Sequence, residues 1–443
     1  MARILLSAYA CEPDRGSEPQ VGWSWATELA RLGHQVTVIT RAANRRTIEA
    51  HSDRLPQNLG FVYYDLPTWM QRVRRGPGGK QLYYVLWQWF AARAVRQRFP
   101  SLGFDVVQHA TYVSARYPSF MGSLGIPFYF GPVSGGEAVP TMLRTGCSPW
   151  ERCREAIRDI SNALVRFDPL MRRTFRQASR ILVTHDTLPL LPQSVRHKAE
   201  PTLTIGLPAR APESTNEREV FHCPARLHLL YVGRLLEWKG VDIALHALSM
   251  MRPAYPNVDF TIVGDGHAAA RLQRLCRTLE LEDVVRWAGW APQIKLADYY
   301  RHAHLLLFPS LRDSGGMVVL EALFQDLPVV CTNLGGPGLI VNRTCGRAIA
   351  TAGRTREQLA RGIADALLEM VSIPGLLETV SRGARTRARE FSIERLVRSV
   401  YPTTFFVEGV GAATKTSTVH QRACASQSVL TMTIRSGAKD TPA

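Results

Sequence analysis

The chain has no closely spaced cysteine pair: its eight cysteines, at positions 11, 147, 153, 223, 276, 331, 345 and 424, form no C-x-x-C and no Cys/His cluster of zinc spacing. A disulfide-stapled small fold is thereby excluded, and structural zinc is not expected. No apolar run reaches the roughly 18 residues of a membrane span. The N-terminal run Met1 to Tyr9 meets Cys11-Glu12-Pro13-Asp14 too soon to form the core of a signal peptide. A reducing, cytoplasmic compartment is the expectation. The G-x-G-x-x-G fingerprint of dinucleotide-binding domains is also missing, which counts against NAD or FAD.

Negative charge is scarce. Lys and Arg number 54 against 37 Asp and Glu, a formal net charge of +17. Such an excess suits an anionic partner: nucleic acid, an acidic leaflet or phosphorylated small molecules. Arginine supplies most of it, and arginine richness also follows from genome base composition. No helix-turn-helix, RRM-like or zinc signature supports nucleic acid, so none is expected as a partner.

What is present is the balance of a globular enzyme, 46% apolar and 21% charged residues in 443. That length exceeds one ordinary core and predicts two domains. Ile4 to Tyr9, a helical pattern through Trp25 and Leu29 closed by Gly33, and Gln35 to Thr40 read as a βαβ unit. Further strands are expected at Gly60–Tyr64, Asp105–Gln108, Pro127–Gly131 and Ile181–Thr184. The pattern restarts at Leu227–Val232 and continues through Phe260–Val263, Leu305–Phe308 and Pro328–Thr332. Two doubly wound parallel α/β domains are the simplest topology. Their expected bounds are 1–205 and 206–390, followed by a helical segment 391–407 and a tail 408–443, poor in large apolar residues and read as disordered.

In open α/β sheets ligands bind beyond the carboxyl ends of strands. Three segments there can carry chemistry. In Gly233-Arg234-Leu235-Leu236-Glu237-Trp238-Lys239-Gly240, an arginine fork and a lysine point charge follow a strand; the pair suits a diphosphate as readily as a solvated basic loop. In Asp313-Ser314-Gly315-Gly316-Met317, the glycines admit close backbone approach and the following helix aims free N–H groups outward, which suits phosphate, although a plain turn and helix reads the same. Glu321 is placed to accept ribose hydroxyls. The loop Arg15-Gly16-Ser17 follows the first strand and is expected to reach the same phosphates from the opposite domain.

Together these segments resemble the retaining glycosyltransferases of the GT-B class, family 4, and more narrowly its exopolysaccharide-building branch. Gly233-Arg234 through Lys239-Gly240 is similar to the family's G-R-x-x-x-x-K-G, and Asp313 through Glu321 to its E-x7-E, with Asp in place of the first Glu. Ala8-Tyr9-Ala10-Cys11-Glu12-Pro13, Gly16-Ser17-Glu18-Pro19, His109-Ala110-Thr111-Tyr112-Val113-Ser114 and Gly131-Pro132-Val133-Ser134-Gly135-Gly136-Glu137 resemble the narrower branch. The resemblance covers residues 3 to about 400. It implies two Rossmann-like domains facing each other across a cleft, and transfer of a hexose from a nucleotide diphosphate-sugar to a saccharide or lipid diphosphate-linked acceptor, with retention.

The resemblance also implies roles. Arg234 and Lys239 would stabilise the leaving diphosphate; Gly233, Ser314, Gly315, Gly316 and Met317 would line the donor; Asp313 and His109 would stand near the transferred sugar. Tyr112 and Glu137 would face the acceptor. Isolated, His109 would read as a strand-end histidine and Glu137 as a helix cap. No metal or other cofactor is implied, and the chain contains no D-x-D pair. The shortened carboxylate at Asp313 leaves a non-catalytic nucleotide-sugar-binding scaffold as an alternative, and a basic nucleic-acid-binding protein as a weaker one. The aromatics and arginines between Trp69 and Phe99 suit either a core-facing helix or an interfacial one, with the Arg72–Lys80 loop the better candidate for peripheral contact with an anionic membrane.

Overall fold

A computed structural model of the protein describes residues 1–72, 78–101, 103–207, 226–401 and the strand Thr431–Ile434. The first sheet comprises β1 (Arg3–Ser7), β2 (Gln35–Arg41), β3 (Leu59–Tyr64), β4 (Val106–His109), β5 (Phe128–Val133), β6 (Arg180–Val183) and β7 (Ala199–Pro201). The second comprises β8 (Leu227–Val232), β9 (Val258–Val263), β10 (Val285–Gly289), β11 (Leu305–Phe308), β12 (Val329–Thr332) and β13 (Gly346–Ile349). Every pairing in both is parallel. Parallel pairs need crossover helices, which cover both faces and explain why LHLLYV, LLLF and VVCT are nearly unbroken apolar runs.

The second sheet runs β10-β9-β8-β11-β12-β13 and the first contains β3-β2-β1-β4-β5-β6 in the same sense. Both are the 3-2-1-4-5-6 order of the Rossmann fold, whose strand order reverses between its first and fourth strands. The crevice at that reversal lies beyond β1 and β4 in one domain and beyond β8 and β11 in the other. All four of the phosphate-reading and histidine-bearing segments follow these strands.

The tail expected to be disordered, 408–443, lies outside the described residues except for β14 (Thr431–Ile434), which adds to the edge of the first sheet beside β3. A short threonine-rich strand has no core of its own to signal it; its order comes from the open edge of β3. The join expected near Thr204 to Phe221 is described only to Leu207. There the chain pairs with its own C-terminal crossing, the Leu207 N–H donating to Phe391 O at 2.9 Å and the Ile393 N–H to Leu207 O at 2.8 Å.

Beyond that crossing, the helix Ile393–Val400 packs on the N-terminal helix Glu18–Arg31, with Arg31 bridging Glu394 at 2.7 Å. Tyr401 enters the N-terminal core, its hydroxyl donating to Gln108 Oε1 at 2.6 Å. Removing that hydroxyl strands a buried carbonyl, so Tyr401→Phe is expected to cost about 1–3 kcal/mol of unfolding free energy, measurable by denaturant titration.

The helix Gly79–Arg98 buries Tyr83, Tyr84, Trp87 and Ala91 against the first sheet. Leu82 and Trp89 are exposed. The packing face is set by the bulkier Tyr83 and Trp87, anchored by Tyr83 Oη to Asp65 at 2.9 Å and Trp87 Nε1 to Tyr64 O at 2.9 Å. Residues 73–77 of the Arg72–Lys80 loop lie outside the described residues.

Candidate active site

The loop after β8 and the loop after β11 close on each other at the reversal of the second sheet. Gly240 adopts φ 70°, and a side chain there would come within 2.1 Å of the Pro309 carbonyl. Only glycine lets the lysine loop lie this close to the loop beyond β11. Gly335, at φ 57°, supports that second loop from behind, where an added Cβ would meet Asp313 O at 2.0 Å; the Gly336 N–H also donates to that oxygen at 2.9 Å.

This packing brings Lys239 Nζ within 2.5 Å of Asp313 Oδ2. The other carboxylate oxygen, Oδ1, accepts the N–H groups of Gly315 at 3.1 Å and Gly316 at 2.8 Å, just ahead of the helix Met317–Phe324. Burial would raise the Asp313 carboxyl, but the Lys239 ammonium and then the two glycine amides outweigh it and hold it below the usual carboxylate range. An ammonium and a helix-start amide pair around one carboxylate form an anion-binding geometry, and Asp313 itself fills it. Arg234, on the loop after β8, is exposed and without an ion-pair partner among the described residues. The buried Tyr231 hydroxyl donates to Arg234 O at 3.0 Å and feels both the Asp313 charge and the Arg234 guanidinium.

Glu321 lies about one turn into that helix. Its carboxylate accepts Gln293 Nε2 at 2.7 Å and the Tyr300 hydroxyl at 2.9 Å. Burial raises its pKa, and the two donors only partly offset the rise. Gln293 and Tyr300 were not singled out in the sequence; their seven-residue spacing on the helix Gln293–His302, which puts both on one face, was the available signal. Gly16 approaches from the other domain, where an added Cβ would lie 3.4 Å from Gln293 Oε1. The Gly16–Ser17 loop therefore meets the cleft on the Glu321 side, with Ser17 exposed at φ 64°.

On the N-terminal wall two of the expected residues are buried. His109 is fully buried, its Nε2 held by the Tyr84 hydroxyl at 2.9 Å and Gln88 Nε2 at 3.0 Å. Burial pushes its pKa down to about 3, leaving a neutral ring. The reason is the length of the helix Gly79–Arg98, whose Tyr84 and Gln88 reach over the end of β4. Glu137 is likewise buried, accepting Gly135 N–H at 2.8 Å from its own loop and the Thr184 hydroxyl at 2.9 Å from the end of β6. Tyr112 is half-exposed on the wall at φ 57°, its N–H donating to Glu18 at 2.8 Å.

The two domains are latched beside this cleft. Glu237 accepts the Ser148 N–H at 2.6 Å, Arg312 pairs with Glu155, and Arg356 joins Leu143 O at 2.7 Å, Cys147 Sγ at 3.2 Å and Asp242.

Residues 215–385 match the family described as Glycosyl transferases group 1. Among curated relatives, the chain is 28% identical over 253 residues to a D-inositol 3-phosphate glycosyltransferase of Pseudarthrobacter chlorophenolicus, covering 55% of this chain and 57% of that one. It is 32% identical over 136 residues to the amylovoran biosynthesis glycosyltransferase AmsK of Erwinia amylovora, covering 29% and 33%. These matches span little more than half the relatives' length at most. In fold the chain is similar to Anabaena Alr3699/HepE, solved in complex with UDP and glucose, with a TM-score of 0.55 at 15% identity over 90% of this chain and 99% of that one. In its residues 215–385 the chain matches the group 1 glycosyl transferases, and its two Rossmann-like domains have the GT-B fold.

Proposed function

We propose that the protein moves a hexose from a nucleotide diphosphate-sugar to a saccharide or lipid-linked saccharide acceptor, with retention of configuration, in the building of exopolysaccharide or another cell-surface glycan. The observation that carries this reading is the meeting of Lys239, Asp313 and the Gly315 and Gly316 amides at the strand reversal, about a turn from Glu321. There a diphosphate would exchange with or join the Asp313 carboxylate on Lys239, Arg234 would turn onto its free oxygens, and Glu321 would take the ribose hydroxyls. The cations then stabilise charge as it grows on the leaving diphosphate, without a divalent ion. Thermal-shift screening against UDP- and GDP-sugars tests the donor: a ligand at a hundred times its Kd adds about 2.7 kcal/mol of apparent stability. No shift with any nucleotide sugar would remove the proposal, and binding without donor hydrolysis or transfer would favour the scaffold alternative.

The raised pKa of Glu321 makes a pH test available. Burial favours its protonated form, so the carboxylate is lost at a higher pH than an ordinary glutamate near 4.3. Nucleoside diphosphate affinity is expected to fall as the pH drops into the mildly acidic range, through loss of a ribose acceptor. Isothermal titration of wild type and Glu321→Gln checks it: the variant should bind weakly throughout and lose that acid-side dependence.

We also place the acceptor at a membrane. No described helix is long and apolar enough to cross one, but the helix Pro149–Leu164 is packed with its polarity reversed. Glu151, Glu155, Arg158 and Asn162 face inward, while Trp150, Ile157, Ile160 and Leu164 are exposed, Trp150 at 71% and Ile160 at 61%. Phe167 and Leu170 extend that apolar face, and Arg154, Arg166, Arg172 and Arg173 lie exposed beside it. Apolar side chains edged by cations suit an anionic leaflet. Flotation with anionic liposomes at low salt should recover the wild type and lose Trp150→Ser/Ile160→Ser; equal recovery of both would move the docking face elsewhere.

A further inference from the structure

The inward side of the helix Pro149–Leu164 presents a charge arrangement that the donor site does not use. Arg116, from the loop after β4, donates to Gly135 O at 2.8 Å and to Asn162 Oδ1 at 2.6 Å. Arg158, on the helix, donates to Glu137 O at 2.8 Å and to the same Gly135 O at 3.2 Å. Arg312 arrives from the other domain, ion-paired with Glu155 and stacked over Trp238 with its guanidinium carbon 4.2 Å from the ring centre.

These three guanidiniums are fixed but poorly neutralised. Arg312 pairs with Glu155, Arg158 reaches a carboxylate only at 4.0 Å, and Arg116 pairs with none among the described residues. Glu137 stands 4.0 Å from Arg158 with its oxygens committed to Gly135 and Thr184, and Glu155 also accepts the Val139 N–H at 3.2 Å. Burial depresses the pKa of all three, and the guanidiniums depress one another's as well. If clamping Gly135 O were the whole purpose, neutral amide donors would do it without desolvating like charges. The unpaired nitrogens of Arg116, Arg158 and Arg312 are not sealed: none appears among the buried polar atoms lacking a partner. Arg312 immediately precedes Asp313 of the donor loop.

We propose that Arg116, Arg158 and Arg312 form a second anion site, across the cleft from the donor diphosphate, that grips a phosphate or diphosphate group carried by the acceptor. Planar guanidinium forks suit phosphate oxygens, and these three come from two domains, so the site exists only where the domains meet. The ligand's charge supplies what Glu137 and Glu155 leave unneutralised. This deepens the proposed function by naming the acceptor's chemistry, and it rests on that reading for the identity of the opposite site.

The test separates the two sites. UDP and GDP are first titrated into wild type, Arg116→Gln and Arg158→Gln by calorimetry, which reads the donor side alone. Inorganic phosphate is then titrated into protein saturated with whichever nucleotide binds or, if neither binds, into Lys239→Ala. Phosphate binding to the wild type, weakened at least tenfold in each arginine variant with nucleotide affinity unchanged, is the expected result. No phosphate binding beyond the donor site, or equal binding in the variants, overturns the proposal. If Arg158→Gln fails to fold by circular dichroism, Arg116→Gln alone decides, since its backbone clamp is shared with Arg158. Displacement of the phosphate by farnesyl diphosphate over glucose 6-phosphate assigns the group to a lipid-linked acceptor, and the reverse order to a soluble sugar phosphate. Displacement by neither counts against an acceptor role.

Discussion

Lys239→Ala is expected to lower turnover about a hundred- to a thousandfold, the cost of removing one preorganised donor from a developing negative charge. Lys239 is the compact cation of the site, held over the Phe308 ring at 5.1 Å and on Asp313 at 2.5 Å. Arginine is a poor substitute, because its planar fork cannot take the place of a point charge between Asp313 and a phosphate. The variant also alters stability against acid in a direction that follows from the pKa shift. In the wild type the Asp313 carboxyl is depressed, so its contribution is present above the unfolded value near 3.9 and is lost as pH falls through the lower folded value. Without the ammonium the folded pKa rises, so the stability that Asp313 loses on acidification should shrink. Steady-state turnover together with melting curves across the acid range checks both effects; unchanged turnover would remove Lys239 from the mechanism.

The second large effect is expected at the domain latch. Arg356→Ala removes the cation that joins Asp242 of one domain to Leu143 O and Cys147 of the other. Asp242 is buried, and its Oδ1 already lacks a hydrogen-bond partner among the described residues. Breaking a buried pair and leaving one charge behind costs about 3–5 kcal/mol. The loss falls between domains, so part of it should appear as an opened cleft. Denaturant melts would show a lower midpoint, and the 143–147 segment would exchange its amide hydrogens faster, while the strands of the second sheet stay protected. A shift under about 1 kcal/mol would mean that Glu237 with Ser148 and Arg312 with Glu155 hold the interface without it.

Much of this architecture could be read from residue patterns alone. Central strands were legible because they are buried on both faces: Leu227–Val232 and Leu305–Phe308 occupy the bounds their apolar runs predict. β7, β10 and β13 were not, because strands near or at a sheet edge are only partly buried; VRWAG and GRAI mix charge with small residues. The glycine and cation spacing around Lys239 and Gly315 was equally visible, since close backbone approach and phosphate binding demand particular residue types. His109 shows the opposite case. A histidine at a strand end reads the same whether it faces a cleft or a helix, and only the packing of Tyr84 and Gln88 over it decides.

By itself, then, the sequence determined the two Rossmann-like halves, the loops that carry the cations and the glycine-started helix, because periodicity and backbone geometry are local properties. Tertiary structure decided which way amphipathic surfaces turn. In the helix Pro149–Leu164 periodicity alone would send Ile157, Ile160 and Leu164 to the core, yet the fold turns Glu151, Glu155 and Arg158 inward to meet the other domain. The physical reason is that a helical pattern defines two faces but not their partners. Charges on the opposing domain, Arg312 above all, lie more than a hundred residues away in the chain and are brought to the helix only by folding.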